Sequence, residues 1–241
     1  NETHLHFNYI DFFEKNFENI KILVEKPLFN KFINYKVNNN KIYVGYNLRF
    51  HPFLLIIKEL IYKKVLWSVN VTAGSYLPNW RKLQNYKTSY SSKKKSGGVL
   101  LDLSHEIDYT LWFLGKIKPL FSIYNKISDL DIQSNDNLNL IATNKNKTII
   151  QMHLNYFFKE PVRQILIDGK NISINADLIN NKLIINQNKK IKKISLKKFD
   201  LDNMYMNQHK EIIDNEIKNI CSYNEALNVM STINKIIKIK K

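Results

Sequence analysis

Apolar and polar residues are spaced differently at the start of this chain and in the rest of it. Near the start, stretches with helical spacing alternate with short apolar runs that are typical of buried strands. The helical stretches cover residues 3–17 and 51–64, and the strand-like runs cover 20–25 and 41–46. This alternation predicts an α/β arrangement for the first part of the chain.

The rest of the chain is dominated by strand-like runs. A run over 65–74 is followed by a long segment, 75–96, which is rich in aromatic and basic residues and has no clear period. A helical stretch over 98–115 comes next, and a series of short apolar runs separated by turn residues follows it. The runs cover residues 121–127, 138–143, 148–156, 164–168, 182–185 and 191–196. They predict an α+β domain with a large, mainly antiparallel sheet flanked by helices.

Two further helical stretches, 204–221 and 223–239, end the chain. The second has an apolar stripe formed by Leu227, Met230, Ile233 and Ile237. Such a stripe has to be buried, so we expect this segment to pack back on the first part of the chain. The predicted organisation is a first unit over 1–48, a second over 49–201, and a C-terminal helical segment over 202–241.

The helical stretch that begins at Gly98 has two unlike faces when it is drawn at about 100° per residue. One face is apolar and consists of Leu100, Leu103, Ile107, Leu111 and Leu114. The other combines a carboxylate, an imidazole and aromatic rings, at Asp102, His105, Asp108, Tyr109 and Trp112. The alternative is an ordinary amphipathic helix whose polar face meets water. Two large aromatics beside a histidine favour a face that lines a cleft.

Composition excludes several classes of protein. At 241 residues and 44% hydrophobic content, the chain has enough apolar surface for a core. Its apolar runs are shorter than the roughly 20 residues of a membrane span, and its one cysteine, Cys221, excludes an internal disulfide. We expect a cytoplasmic protein. The net charge of +16 comes mainly from dispersed lysines, with only three arginines, so we expect no nucleic-acid partner. His4, His51, His153 and His209 have no metal-ligand spacing.

Two motifs carry a resemblance to a known family. Val24-Glu25-Lys26-Pro27 ends the first strand-like run, and Gly97-Gly98-Val99-Leu100-Leu101-Asp102-Leu103-Ser104-His105-Glu106-Ile107-Asp108 opens the two-faced helix. Together they resemble the Gfo/Idh/MocA family of nicotinamide-dependent oxidoreductases, named for glucose-fructose oxidoreductase, inositol dehydrogenase and MocA. One spacing departs from the family pattern, because Asp102 precedes His105 by three residues instead of four.

The resemblance implies that the first unit is the C-terminal remnant of a Rossmann domain that binds NAD or NADP. On this interpretation about 70 residues, roughly two βαβ units, precede Asn1. The sequence has no G-x-G-x-x-G phosphate loop. The resemblance also implies a cis Lys26-Pro27 peptide and a homo-oligomer formed through the antiparallel sheet. The cofactor-binding residues that it implies are Asn1, His4, Glu25, Lys26 and Pro27.

The same resemblance implies a catalytic group of Lys26, His105 and Asp102 near the nicotinamide. Oxidation of an alcohol needs one positioned base. A partly desolvated Lys26 has its pKa lowered toward that task, and His105 is the competing base, with Asp102 as the group that orients it. Whether Lys26 or His105 is the base stays open at this point.

The substrate is expected to be a sugar, a sugar derivative such as a nucleotide-activated sugar, or a cyclitol, oxidised at a secondary alcohol. Flat aromatics stack on sugar faces, and cationic side chains bind phosphate or carboxylate. The predicted substrate-binding residues are Arg49, Tyr76, Trp80, Arg81, Tyr90 and Asp108. Two alternatives remain: a catalytically idle relative that serves as a binding or assembly module, and a nucleic-acid-binding protein with its positive charge on one face.

Overall fold

The computed structural model describes residues 2–81, 83–197 and 199–239. Over these residues the chain forms a small sheet, a large sheet and a set of helices, the last of which contacts strands of both sheets. The helices are α1 (His6–Asn16), α2 (Pro52–Ile61), α3 (Val99–Asp102), α4 (Ser104–Leu114), α5 (Asp202–Ile213) and α6 (Tyr223–Lys238). The strands are β1 (Lys21–Val24), β2 (Lys41–Val44), β3 (Leu66–Gly74), β4 (Ile117–Asn125), β5 (Asn137–Asn144), β6 (Ile149–Asn155), β7 (Val162–Gly169), β8 (Ile172–Asp177), β9 (Lys182–Gln187), β10 (Lys190–Ser195) and β11 (Cys221–Ser222).

The small sheet holds the first motif in place. Strands β1 and β2 are parallel, and β11 pairs antiparallel with β2. The prediction of one helix over 204–221 is wrong, because α5 ends at Ile213 and Cys221 lies in β11. The carboxylate of Glu211 accepts hydrogen bonds from the backbone N–H groups of residues 218–220, which fixes a loop where a helix was predicted.

The large sheet has the order β10-β9-β8-β7-β3-β6-β5-β4 among the described strands. Every neighbouring pair is antiparallel except β3 and β6, which confirms the prediction of a mainly antiparallel sheet. Strand β8 was missed because its Asn and Asp residues are typical of turns. Its signal is the alternation of buried Ile172, Ile174 and Ala176 with more exposed residues.

One face of the large sheet forms the core, and the other is open. Val69, Val71, Ile165 and Ile167 are buried on the face that carries the helices, and α6 packs against both β4 and α4. Large apolar side chains also remain on the surface of the sheet strands. They include Trp67, Phe121, Ile141 and Ile149, each more than two-fifths exposed. None of the described helices is long and apolar enough to cross a membrane.

The predicted helix over 98–115 is broken into two. Helix α3 ends at Asp102, Leu103 adopts φ −97° and ψ 32°, and α4 begins at Ser104. Gly98 opens the segment at φ 101°, a conformation that favours glycine. The alternative of a water-facing polar side is wrong, since Asp102, Asp108 and Tyr109 are 6%, 1% and 1% exposed.

Candidate active site

Lys26 is placed by the end of strand β1 and held by the break between α3 and α4. Its Nζ donates a 2.7 Å hydrogen bond to the main-chain oxygen of Asp102. Asp102 is the last residue of α3, and carbonyl groups at a helix end lack partners within the helix. Burial lowers the pKa of Lys26, while the charges of Asp102 and Glu106 oppose that shift. At a given pH, the neutral amine is therefore a larger fraction of Lys26 than of a surface lysine.

His105 lies on the first turn of α4 with its ring edge-on to Tyr46, the two ring centres being 5.6 Å apart. Its Nδ1 is buried and has no hydrogen-bond partner among the described residues. Burial lowers the pKa of His105 well below its ordinary value, and the nearby charges of Lys26 and Arg163 lower it further. The imidazole is therefore neutral at neutral pH.

Asp102 is engaged by a tyrosine and not by the histidine. The hydroxyl of Tyr156, at the end of β6, donates to Asp102 Oδ2 at 2.5 Å, and burial raises the pKa of that hydroxyl. No hydrogen bond joins Asp102 to His105 in the described part of the chain. The expectation that Asp102 orients His105 rested on one continuous helix, whereas the helix is broken at Leu103 and the carboxylate of Asp102 is bonded to Tyr156.

Two cavities meet at Lys26, Arg81 and Asp102, which line both of them. The first, of about 500 Å³, lies at the carboxyl end of β1. Its lining includes four of the residues predicted to bind cofactor, His4, Glu25, Lys26 and Pro27. The fifth, Asn1, lies outside the described residues. The Lys26-Pro27 peptide is cis, as the resemblance implied.

The second cavity, of about 490 Å³, lies between α4 and the ends of β3 and β7. Lys26 and His105, 79 positions apart in the sequence, both line it. Apolar residues form another part of its wall, including Ile179, Met204 and Tyr205. The cavity thus has a polar end with a lysine and an imidazole, and an apolar end on α5.

Arg49 and Asp108 do not belong to either cavity, contrary to the prediction that they bind substrate. Arg49 donates to both oxygens of Asp108, from Nε at 2.9 Å and from Nη2 at 2.7 Å. Its Nη1 donates to Glu225 Oε1 at 2.9 Å, and Cys221 Sγ lies 3.6 Å from Asp108 Oδ1. Both charged side chains are 2% exposed. Burial of the two charges is possible because each is neutralised by the other.

The segment 75–96 supplies three predicted residues to the cavities. Trp80 lines the second cavity, its indole N–H bonded to Ser75 Oγ at 2.7 Å. Arg81 lies over the ring of Tyr90, with Cζ 4.8 Å from the ring centre, and both residues line the first cavity. Tyr76 lines neither cavity, because Lys159 Nζ covers its ring at 3.2 Å from the centre.

Sequence reasoning missed an ion pair beside the second cavity. Arg163 Nε lies 2.8 Å from Glu106 Oε1, and the Glu106 side chain is fully buried. A signal was present, because Arg163 shares the strand parity of Ile165 and Ile167, whose side chains face the core. An arginine at such a position requires a buried partner. No group of acidic, histidine or cysteine side chains that would hold a metal ion occurs in the described ranges.

A family model and several solved structures are similar to this chain. Residues 57–175 match the family model described as the GFO/IDH/MocA C-terminal domain. No curated protein sequence matches the chain. A levoglucosan dehydrogenase solved with NADH and levoglucosan has TM-score 0.82 and 15% identity, over 99% of this chain and 76% of that one.

Two bacterial structures are also similar. A UDP-N-acetylglucosamine 3-dehydrogenase from Acidithiobacillus ferrooxidans has TM-score 0.74 and 16% identity, over 98% of this chain and 75% of the other. An oxidoreductase from Thermotoga maritima has TM-score 0.77 and 18% identity, over 98% and 73%. At these identities the likeness shows a shared fold. The family model covers strands β3 to β7 and helix α4, so residues 57–175 form a GFO/IDH/MocA C-terminal domain, and the whole chain has the fold of these solved structures.

Proposed function

We propose that this chain carries the catalytic groups of an NAD(P)-dependent oxidoreductase that oxidises a secondary alcohol. The substrate is a sugar, a sugar derivative such as a nucleotide-activated sugar, or a cyclitol. One observation carries the proposal: Lys26 and His105, from two distant parts of the sequence, line one cavity beside the carboxyl end of a parallel strand. Ligands of open α/β sheets bind at such strand ends.

The residues of the first cavity fit the nicotinamide end of the cofactor. His4, Glu25 and Pro27 form one wall beside Lys26, and the volume of about 500 Å³ accommodates a ring and its ribose. When bound there, the cofactor accepts hydride from the carbinol carbon. The sequence has no glycine-rich turn for the pyrophosphate. The chain's own residues therefore fit half of the cofactor.

Lys26 is the base in this proposal. As the carbinol carbon loses hydride, the hydroxyl proton passes to the lone pair of Lys26 Nζ. Burial favours the neutral amine that this step needs. The hydrogen bond to the Asp102 carbonyl fixes the direction of Nζ, so one hydrogen of the amine orients the group while the lone pair accepts the proton.

His105 has a different role, that of a hydrogen-bond donor to the substrate oxygen. A neutral imidazole carries hydrogen on one nitrogen only. An N–H group buried without an acceptor is rarer than an acceptor buried without a donor. Since Nδ1 is the buried and unpartnered atom, the hydrogen belongs on Nε2, where it is available to the substrate. This assignment makes His105 a positioning donor and leaves proton abstraction to Lys26.

The proposal is tested by turnover. The chain, preceded by the Rossmann segment that the resemblance implies, is incubated with NAD and with NADP, and with levoglucosan, myo-inositol and UDP-N-acetylglucosamine in turn. Formation of reduced nicotinamide with at least one substrate is expected, and deuterium at the oxidised carbon should slow it if hydride transfer limits the rate. Failure with all three substrates, while the chain is folded by circular dichroism, would count against the proposal.

We also propose that the protein forms a homo-oligomer through the open face of the large sheet. Phe121, Ile141 and Ile149 stay 42–45% exposed on β4, β5 and β6, and they are apolar side chains on adjacent strands. Exposed apolar patches of this kind mark protein interfaces. Sedimentation equilibrium should give a mass above 28.6 kDa, and Ile141→Lys should shift it toward the monomer. A monomeric wild-type chain would contradict the proposal.

A further inference from the structure

Arg163 is a charged residue at a position that strand geometry assigns to the core. Its Cα pairs with Ala73 of β3, and its main-chain oxygen accepts a 2.9 Å hydrogen bond from Leu178 N. The backbone is thus fixed from two sides. Side chains of alternate strand residues share a face, so Arg163 points to the same side as the fully buried Ile165 and Ile167. The side chain is nevertheless 26% exposed, because it borders the second cavity.

Glu106 pairs with this arginine by charge and takes up none of its hydrogen-bond donors. The contact is between Nε and Oε1, at 2.8 Å. This contact is an ion pair that lacks hydrogen-bond geometry, and the Arg163 side chain makes no hydrogen bond and no further ion pair in the part of the chain that the structure describes. A guanidinium has five N–H donors in a rigid plane that matches carboxylate and phosphate oxygens. The two terminal amino groups therefore remain available at the cavity wall.

The same cavity contains a second arginine with no acidic partner. Arg81 lies over Tyr90 and forms no ion pair with any described carboxylate. Besides Lys26, the cavity wall has two arginines and one carboxylate, that of Asp102, which already accepts from Tyr156. The volume of about 490 Å³ is in the range of sites for drug-sized ligands and exceeds what one sugar ring fills.

We propose that the substrate of this enzyme carries an anionic group, a carboxylate or a phosphate, and that Arg163 and Arg81 bind it while the hydroxyl meets Lys26 and His105. This inference rests on the proposed function for the identity of the reacting end. Glu106 serves as the positioning residue that sets the direction of the Arg163 guanidinium.

Equilibrium binding tests the inference without turnover. Calorimetry compares glucose with glucuronate, glucose 6-phosphate and UDP-glucose, so that the carboxylate, the phosphate monoester and the diphosphate are distinguished. At least one anionic probe should bind about 10- to 100-fold more tightly than glucose, the range expected for hydrogen bonds to charged groups. Equal affinity for all four probes, or no binding of any anionic probe, overturns the inference.

Variants then locate the anion site. Because Arg163→Gln alone leaves Glu106 buried without its partner, the main variant is Arg163→Gln with Glu106→Gln. It should remove most of the preference for the anion and leave the affinity for glucose unchanged. Arg81→Gln, which breaks no ion pair, should remove part of it. Lys118→Gln, on exposed β4, is the matched control for loss of one positive charge and should keep the preference. Retention of the full preference in both arginine variants overturns the inference.

The two proposals fail in different ways. Charge-selective binding that depends on Arg163, with no hydride transfer to NAD or NADP, leaves the anion site in place and removes the oxidoreductase. Turnover of neutral sugars at the same rate in wild type and in the double variant, with no anion preference, leaves the oxidoreductase in place and removes the anion site.

Discussion

Helix α4 carries two carboxylates two positions apart, and each is paired with an arginine in a different setting. Asp108 pairs with Arg49, where both side chains are 2% exposed, whereas Glu106 pairs with Arg163, which is 26% exposed at a cavity wall. We call the first group, with Cys221 and with Glu225, which lies at its edge and is 42% exposed, the sealed cluster. We call the second group, with Lys26, His105 and Asp102, the open cluster.

The difference between the clusters lies in how many donors are used. Arg49 gives Nε and both amino groups to Asp108 and Glu225, and its guanidinium also lies 5.4 Å from the ring centre of Trp112. Arg163 has one close contact, from Nε to Glu106 Oε1 at 2.8 Å, and that contact lacks hydrogen-bond geometry. An arginine whose three nitrogens all have acceptors joins α4 to α6 and stabilises the fold. An arginine that keeps free donors beside a cavity can bind a ligand. The two arginines differ in this way although each is paired with a carboxylate.

The largest expected effect is in the open cluster. Lys26→Ala should lower kcat/KM by about 10²- to 10⁴-fold, the range for loss of a general base, because no other neutral amine lines the second cavity. Steady-state kinetics measures it, with Lys118→Ala as the matched surface control. The free energy of unfolding should stay within about 1 kcal/mol of wild type. Nearly full turnover by Lys26→Ala would show that Lys26 is not the base and would assign that role to His105.

The next effect is on stability and belongs to the sealed cluster. Asp108→Ala should lower the free energy of unfolding by about 3–5 kcal/mol, because Arg49 is left buried without its main partner. Glu106→Ala should lower it less, since Arg163 keeps contact with water. Urea denaturation compares the two variants. The double variant Arg49→Met with Asp108→Leu should recover part of the loss, because it removes both buried charges. Equal losses for Asp108→Ala and Glu106→Ala would erase the distinction between the clusters.

A smaller effect concerns the pH dependence of turnover. Only the neutral amine of Lys26 accepts a proton, so the rate should rise with pH and reach half its maximum below the ordinary lysine pKa of 10.5. The charge of Glu106 raises the pKa of Lys26 against the effect of burial. Glu106→Gln should therefore move the midpoint to lower pH. Glu225→Gln, in the sealed cluster, should leave it in place. A midpoint that moves upward in Glu106→Gln would contradict this electrostatic argument.

The smallest expected signal is the affinity of this chain for the cofactor. Residues of the first cavity reach only the nicotinamide end, and the sequence supplies no glycine-rich turn at a helix N-terminus for the pyrophosphate. We expect NAD(H) and NADP(H) to bind weakly or below detection in calorimetry. What binding remains should depend on Glu25 and not on Glu225. Micromolar affinity would show that other residues of the chain hold the adenosine end.

Much of the fold was predictable because it follows from local spacing. The spacing of apolar residues predicts the strand before Glu25-Lys26-Pro27 and the strand over 66–74. It also predicts the mainly antiparallel sheet. The exceptions, β8 and β11, have reasons in the sequence and in the contacts. Strand β8 is masked by turn-forming residues, and β11 exists only because β2 offers an unpaired edge.

The sequence by itself determined which side chains are present at the end of β1 and along α4, because strand and helix periods fix their direction relative to the core. Only the tertiary structure decided how those side chains are used. Arg49 meets Asp108 across 59 positions, Arg163 meets Glu106 across 57, and Lys26 meets the Asp102 carbonyl across 76. Asp102 accepts a hydrogen bond from Tyr156, 54 positions away, and not from His105. Burial and pairing of charges depend on how helices pack on sheets, and no local pattern contains that information.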